Sequence, residues 1–263
     1  MKLIYVLIVI VIVCFCISLS VYDKNVHDEY ENNIPIMNTQ ILNNNYLNNL
    51  KNNYSKNKII YIENIFDSDF FTYFKNIAID ESLNSMKKDT SEIFNVFRKA
   101  TTINGDQITN KVIPQIYHNN NFLNLINYIT DNNYLPVYPY DKSSINLLIY
   151  DKANDYINWH FDPNHYIGNR ITVLVCIQNE GNNGQELSSS KLNYIDINTK
   201  EEKSLKMKPN SVLIFDGTKI FHSATGINQD EKRLLLSFTY CDVCKETVYG
   251  NFIKNIKELI MGY

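Results

Sequence analysis

Glycine, proline and tryptophan are scarce in this chain, with 8, 6 and 1 copies in 263 residues, while asparagine, isoleucine, lysine and tyrosine are heavily used. That imbalance looks like an AT-rich coding bias as much as a folding requirement, so bulk composition says little about fold. Cysteine is also sparse. Of five copies, Cys14 and Cys16 fall in an apolar N-terminal run, which leaves Cys176, Cys241 and Cys244 and excludes a disulfide framework. Cys241 and Cys244 have the spacing of half a zinc site or a redox pair, but no second pair completes a zinc site, and they read as two ordinary thiols at a strand end. Basic charge is lacking too. The 25 Lys and Arg against 28 Asp and Glu give a net charge of -3, with no field for phosphate backbones, so no nucleic-acid partner is implied.

The first 22 residues lack something different. After Lys2 there is no charge, and residues 3–17 show no polar face, which argues against a buried amphipathic helix. A membrane helix takes about 20 such residues and a signal peptide about 7 to 15. The length lies between the two and favours an uncleaved anchor, although the small residues Ser18 and Ser20 would suit cleavage. Lys2 keeps the N-terminus cytosolic, so the rest is expected to be lumenal or external, as a single-pass anchored protein or a secreted one. Residues 23–57 are polar and Asn-rich and are expected to be a tether, with at most a short helix. Asn53-Tyr54-Ser55 within them is a glycosylation sequon, and His27 reads as solvated.

The body, residues 58–263, begins with a strand-like run, "KIIYIENIF". Asp67-Ser68-Asp69 then caps a helical pattern, and a second amphipathic helix over 121–133 has Phe122, Leu125, Ile126 and Ile129 on one face. Eight short apolar runs follow: "SINLLIYD", "YINWHFD", "RITVLVCIQ", "LNYIDIN", "SLKMK", "SVLIFDG", "IFHSATG" and "RLLLSFTY". Eight strands after a helical lead-in predict a mainly β fold with supporting helices, a double-sheet jelly roll whose core spans about residues 145–240. "NFIKNIKELI" is expected to close the chain as an outer helix.

Chemistry concentrates in "NWHFDPNHYIGNRITVLVCIQN", which holds two of the five histidines. On an extended segment His160 and Asp162 point to one face, and Trp159 and Phe161 to the other. A third ligand must come from another strand, and His222 in "VLIFDGTKIFHSATG" can supply it. Two His and one carboxylate leave three positions of an octahedral metal open, the arrangement expected of non-heme Fe(II) oxygenases. Arg233, opening "RLLLSFTY", can hold a carboxylate in bidentate fashion. His165, in a polar loop, reads as pocket rim or solvated surface.

Residues 145–240 resemble the double-stranded β-helix domain of the Fe(II)- and 2-oxoglutarate-dependent dioxygenases, closest to the prolyl 4-hydroxylase-like branch. Tyr150 stands ten residues before His160, Arg170 opens the next strand, and Gly184-Gln185-Glu186-Leu187 occupies a turn. "PNSVLIF" fills a later strand, followed by His222 and Arg233. The resemblance implies that His160, Asp162 and His222 bind Fe(II), that Arg233 binds the distal carboxylate of 2-oxoglutarate, and that Tyr150 hydrogen-bonds this co-substrate. It also implies that Ser237 adds a hydroxyl to the same carboxylate. Leu187 stands where the family often has Thr, and Ile177 where some members have a second Tyr. Lys232 takes the part of Arg233 if the register slips by one residue, but Arg233 is preferred because its face of the strand also carries Ser237 and Thr239.

The resemblance implies an enzyme that couples the decarboxylation of 2-oxoglutarate by O2 to hydroxylation of a C–H bond, with ascorbate as a candidate reductant. A prolyl- or lysyl-type protein hydroxylase leads, with a small-molecule substrate also compatible. Asp162, being a carboxylate, argues against a halogenase. Two other classes stay open: a catalytically silent jelly-roll module binding peptide or glycan, and a cupin-type metal oxygenase indifferent to 2-oxoglutarate.

Overall fold

A computed structural model of the chain describes residues 37–89, 97–138, 141–182, 186–248 and 250. The apolar segment 1–22, the start of the expected tether, Gly184 and Gln185, and the expected closing helix lie outside these residues. Among the described residues no helix is long and apolar enough to cross a membrane.

In chain order the elements are α1 (Asn44–Asn57), β1 (Ile59–Glu63), α2 (Ser68–Asn84), β2 (Lys88–Asp89), β3 (Arg98–Lys99), β4 (Thr101–Asn104), α3 (Val112–His118), α4 (Asn120–Thr130) and β5 (Leu135–Pro136). They continue with β6 (Ile145–Tyr150), β7 (Tyr156–His160), β8 (Arg170–Glu180), β9 (Leu192–Ile195), β10 (Glu202–Leu205), β11 (Ser211–Phe215), β12 (His222–Ala224) and β13 (Lys232–Cys241). Each of the eight expected strand runs overlaps one observed strand. β10 sits early, starting at Glu202, because the buried Met207 that makes "SLKMK" look strand-like packs from the following turn.

Helix ends follow local chemistry. Asp67 caps α2, its carboxylate accepting from the N–H groups of Asp69 and Phe70. Asn119 caps α4, which stops at Asp131 in the left-handed conformation, φ 54°.

The expected tether needs correction from Met37 onward. Met37, Ile41, Leu50 and Tyr54 are buried in the main core, and α1 lies against α4, with the Tyr128 hydroxyl 2.6 Å from Asn48 Oδ1. Leu50 and Tyr54, one helical turn apart, give α1 a narrow apolar edge among asparagines. That edge suffices once α4 covers it.

All sheet pairing is antiparallel. A major sheet runs β1-β11-β8-β13-β6-β4-β2 with β5 on β13, and a minor sheet runs β10-β9-β12-β7-β3. The helices cover one face of the major sheet. Period-two alternation sorts the side chains: Ile171, Val173, Val175 and Ile177 of β8 join the helix-side core, while Leu174 and Cys176 face the minor sheet. The architecture is mainly β, two facing antiparallel sheets consistent with a jelly roll. One end of the space between them is apolar, filled by Leu213, Phe215, Ile220 and Leu235. The other end is a cavity.

Candidate metal centre

His160 ends β7 and His222 starts β12, and the two are direct partners in the β7·β12 ladder. Antiparallel pairing therefore sets their rings side by side, with centroids 4.2 Å apart. Asp162, two residues past His160, is clipped to the turn after β11, its N–H donating to the Gly217 carbonyl at 2.9 Å. One ligand atom from each of the three residues falls within 4.8 Å of the others. Asp162 Oδ1 lies 3.6 Å from His160 Nε2 and 3.9 Å from His222 Nε2, too far for hydrogen bonds. The three atoms converge on a point rather than bonding each other.

Proton placement follows from the backbone. His160 Nδ1 is 2.8 Å from the Asn158 carbonyl and His222 Nδ1 is 2.9 Å from the Ile220 carbonyl. A carbonyl only accepts, so both Nδ1 atoms donate. In the neutral rings, Nε2 then carries a bare lone pair toward the convergence point. Burial lowers the His222 pKa, with His160 pushing the same way and Asp162 opposing. Burial would raise the Asp162 carboxyl, but the Arg170 guanidinium, the two histidines and the Thr172 hydroxyl outweigh it and hold the group well below the usual carboxylate range. A neutral imidazole and an ionised carboxylate are the forms a divalent cation needs, and this donor set fits Fe(II).

The ligands open into a cavity of about 540 Å³ between the sheets. Tyr150 and Arg233 line it as direct partners in the β6·β13 ladder, 1% and 2% exposed. The Arg233 guanidinium sits 5.0 Å from the centre of the Tyr150 ring. The guanidinium makes one long hydrogen bond, Nη1 to Ser190 Oγ at 3.4 Å, and Nε has no hydrogen-bond partner among the described residues. No described carboxylate lies within ion-pairing distance of it. Burial raises the Tyr150 pKa against the opposing pull of Arg233 and Arg98, so the phenol keeps its proton at neutral pH and can donate. Ser237 and Thr239 line the same cavity from β13.

Lys232, the alternative to Arg233, is exposed at the strand start opposite Glu180, while the register turns Arg233 into the cavity. His165 is 8% exposed and lines the cavity, which removes the solvated reading. Trp159 stacks on Phe221 at 5.2 Å and also borders the cavity. Arg170 reaches the site, with Nη2 3.7 Å from Asp162 Oδ2 and 3.0 Å from Thr239 Oγ1. Two residues escaped the sequence reading: Thr172, whose hydroxyl donates to Asp162 Oδ2 at 2.5 Å, and Gly217. The even-numbered face of β8 signals Thr172; nothing local signals Gly217. Cys241 and Cys244, expected as separate thiols, form a disulfide at the end of β13. The turn beyond β13 brings them together, and its carbonyls at Val243 and Lys245 accept from Gly168 and Ile167.

No family model matches the sequence, and no curated protein matches it. Solved structures do match. The non-heme alpha-ketoglutarate-dependent epimerase SnoN from nogalamycin biosynthesis is 13% identical with a TM-score of 0.61, over 76% of this chain and 84% of SnoN. A Pseudomonas putida prolyl-4-hydroxylase is 10% identical with a TM-score of 0.57, over 74% of this chain and 98% of that one. A Trichoplax adhaerens prolyl hydroxylase, solved with a hypoxia-inducible-factor peptide fragment, is 17% identical with a TM-score of 0.55, over 75% and 90%. The chain shares the fold of these oxygenases, prolyl hydroxylases among them.

Proposed function

We propose that the chain is an Fe(II)- and 2-oxoglutarate-dependent dioxygenase that hydroxylates a C–H bond, with a prolyl or lysyl side chain of a protein as substrate. The observation that carries the reading is the buried Arg233, unpaired with any described carboxylate, in the same cavity as the two histidines and Asp162. A buried guanidinium without a counter-charge is costly, and a bound dianion with one carboxylate at the metal and one at Arg233 removes that cost.

His160, Asp162 and His222 would hold Fe(II). Fe(II) held there with 2-oxoglutarate would supply O2 activation, coupling conversion of the co-substrate to succinate and CO2 with hydroxylation of the substrate C–H bond. Arg233 fixes the distal carboxylate, and the Tyr150 phenol donates a hydrogen bond to the co-substrate. Ser237 offers a hydroxyl on the same wall. The apolar end of the barrel, with Leu235 and Phe215, excludes water from behind the site. Ascorbate would keep the iron reduced between turnovers. A protein substrate is supported by the prolyl hydroxylase fold neighbours, one solved with a peptide; SnoN, solved with nogalamycin RO, keeps a small molecule compatible.

Residues 1–22 would anchor the enzyme, or be cleaved to release it, leaving the catalytic domain lumenal or external. The Cys241–Cys244 disulfide supports an oxidising compartment.

The test is anaerobic addition of Fe(II) and 2-oxoglutarate to the protein, followed by O2. A weak visible charge-transfer band, then succinate, is expected. Folded protein giving neither would be a binding module that keeps the barrel. Iron-dependent oxidation indifferent to 2-oxoglutarate and to Arg233 would be a cupin-type oxygenase.

A further inference from the structure

The two oxygens of Asp162 have different surroundings. Oδ1 faces the Nε2 atoms of His160 and His222. Oδ2 faces away, accepting from Thr172 Oγ1 at 2.5 Å and lying 3.7 Å from Arg170 Nη2. Beneath Oδ2 is Gly217, where an added Cβ would lie 2.0 Å from Oδ2 and 2.6 Å from Cγ. The carbonyl of the same glycine receives the Asp162 N–H. The turn that holds Asp162 therefore also leaves room for its carboxylate in this orientation, room that any side chain at position 217 would fill. The same turn serves the third ligand, because the Ile220 carbonyl that orients His222 lies three residues further on.

We infer that Thr172 and Gly217 are positioning residues that restrict Asp162 to one metal-facing oxygen, Oδ1. The inference rests on the metal site proposed above. A carboxylate that turned both oxygens inward would take a fourth coordination position and leave two of six open, too few for a chelating co-substrate together with O2. The Thr172 hydroxyl opposes that rotation by holding Oδ2, and Arg170 neutralises the oxygen without occupying the Gly217 space. Thr172 is held to this task by alternation along β8, since Ile171 and Val173 on either side point into the helix-side core.

Co(II) alone, without 2-oxoglutarate, is the probe, read by calorimetric titration and by its d–d absorption. Thr172→Val keeps the side-chain shape and removes the donor. Its Co(II) affinity is expected to fall about ten-fold or more, the usual cost of losing a partner behind a ligand, with a changed d–d spectrum. Thr172→Ser restores the hydroxyl and is expected within about three-fold of wild type. Gly217→Ala should lose at least as much as Thr172→Val. Thermal unfolding of each metal-free variant separates loss of a ligand position from loss of fold, and if Gly217→Ala does not fold, the Thr172 pair decides. Wild-type protein that binds Co(II) while Thr172→Val binds it equally, with the same spectrum, overturns the inference alone. Wild-type protein that binds no Co(II) overturns the metal site as well.

Discussion

Leu234, Leu236, Phe238 and Tyr240 leave β13 toward the helices, whereas Arg233, Leu235, Ser237 and Thr239 leave it toward the space between the sheets. Both faces are covered, so the polar residues of the second face cannot be an ordinary wet surface. On a half-exposed antiparallel strand, polar alternation means solvent. On this strand it means a cavity built to hold something polar, and the one residue on that face in the apolar cluster, Leu235, marks where the cavity gives way to packing. Covering a strand on both sides turns alternation into a functional signal.

The sharpest break of this contrast removes a ligand from the cavity side. His160→Ala or His222→Ala is expected to abolish succinate formation and metal binding, because two remaining ligands do not hold the ion; turnover at the wild-type rate in either variant would sink the metal assignment. On β13 itself, Arg233→Ala should raise the 2-oxoglutarate KM about a hundred-fold, from the loss of a charge-assisted pair worth about 3 kcal/mol. A residue on the other face of the same strand should behave oppositely: Leu236→Ala is expected to cost about 2–5 kcal/mol in denaturant unfolding and to leave that KM unchanged. Equal effects of both substitutions on KM would erase the distinction between the faces. Lys232→Ala, at the exposed start of the strand, should change neither KM nor stability by more than about 0.5 kcal/mol.

A pH-dependent effect lies just past the end of β13. Burial pushes the Asp242 carboxyl up, but hydrogen bonds from the Asn169 and Asn132 side chains and from backbone N–H groups outweigh it, and its pKa is lowered. A depressed carboxylate contributes stability above its unfolded pKa, about 4, and loses it as pH falls through the folded value. Melting temperatures of wild type should therefore drop more steeply below about pH 4 than those of Asp242→Asn. Parallel curves would remove Asp242 from the acid response.

Much of this was legible in the sequence for one reason: period-two alternation survives in a strand whatever lies around it. It placed His160 with Asp162, and it chose Arg233 over Lys232 through the company of Ser237 and Thr239 on the same face. What alternation cannot report is contact between segments distant in sequence. Gly217 matters because a turn after β11 meets the residue after His160, and no pattern near position 217 records that approach. α1 escaped for a related reason, since its apolar edge is two residues wide and becomes a helix face only once α4 covers it. The Cys241–Cys244 bond likewise depends on the direction the chain takes after β13, which the spacing left open.

One pairing has a consequence for how the molecule is made. β1 is the earliest strand among the described residues, yet Ile59 pairs with Phe215 and Glu63 with Ser211, on the much later strand β11. The β8·β11 ladder and the turn carrying Gly217 also wait for that late segment. Early strands must then remain unpaired through most of synthesis, the high-contact-order condition under which folding is slow and exposed edges aggregate. An incomplete chain has His160 and Asp162 but neither His222 nor the turn carrying Gly217, so a metal at the proposed site could not rescue a partial fold. Metal capture would mark the finished molecule, and truncation before β12 should yield insoluble protein whatever iron is supplied.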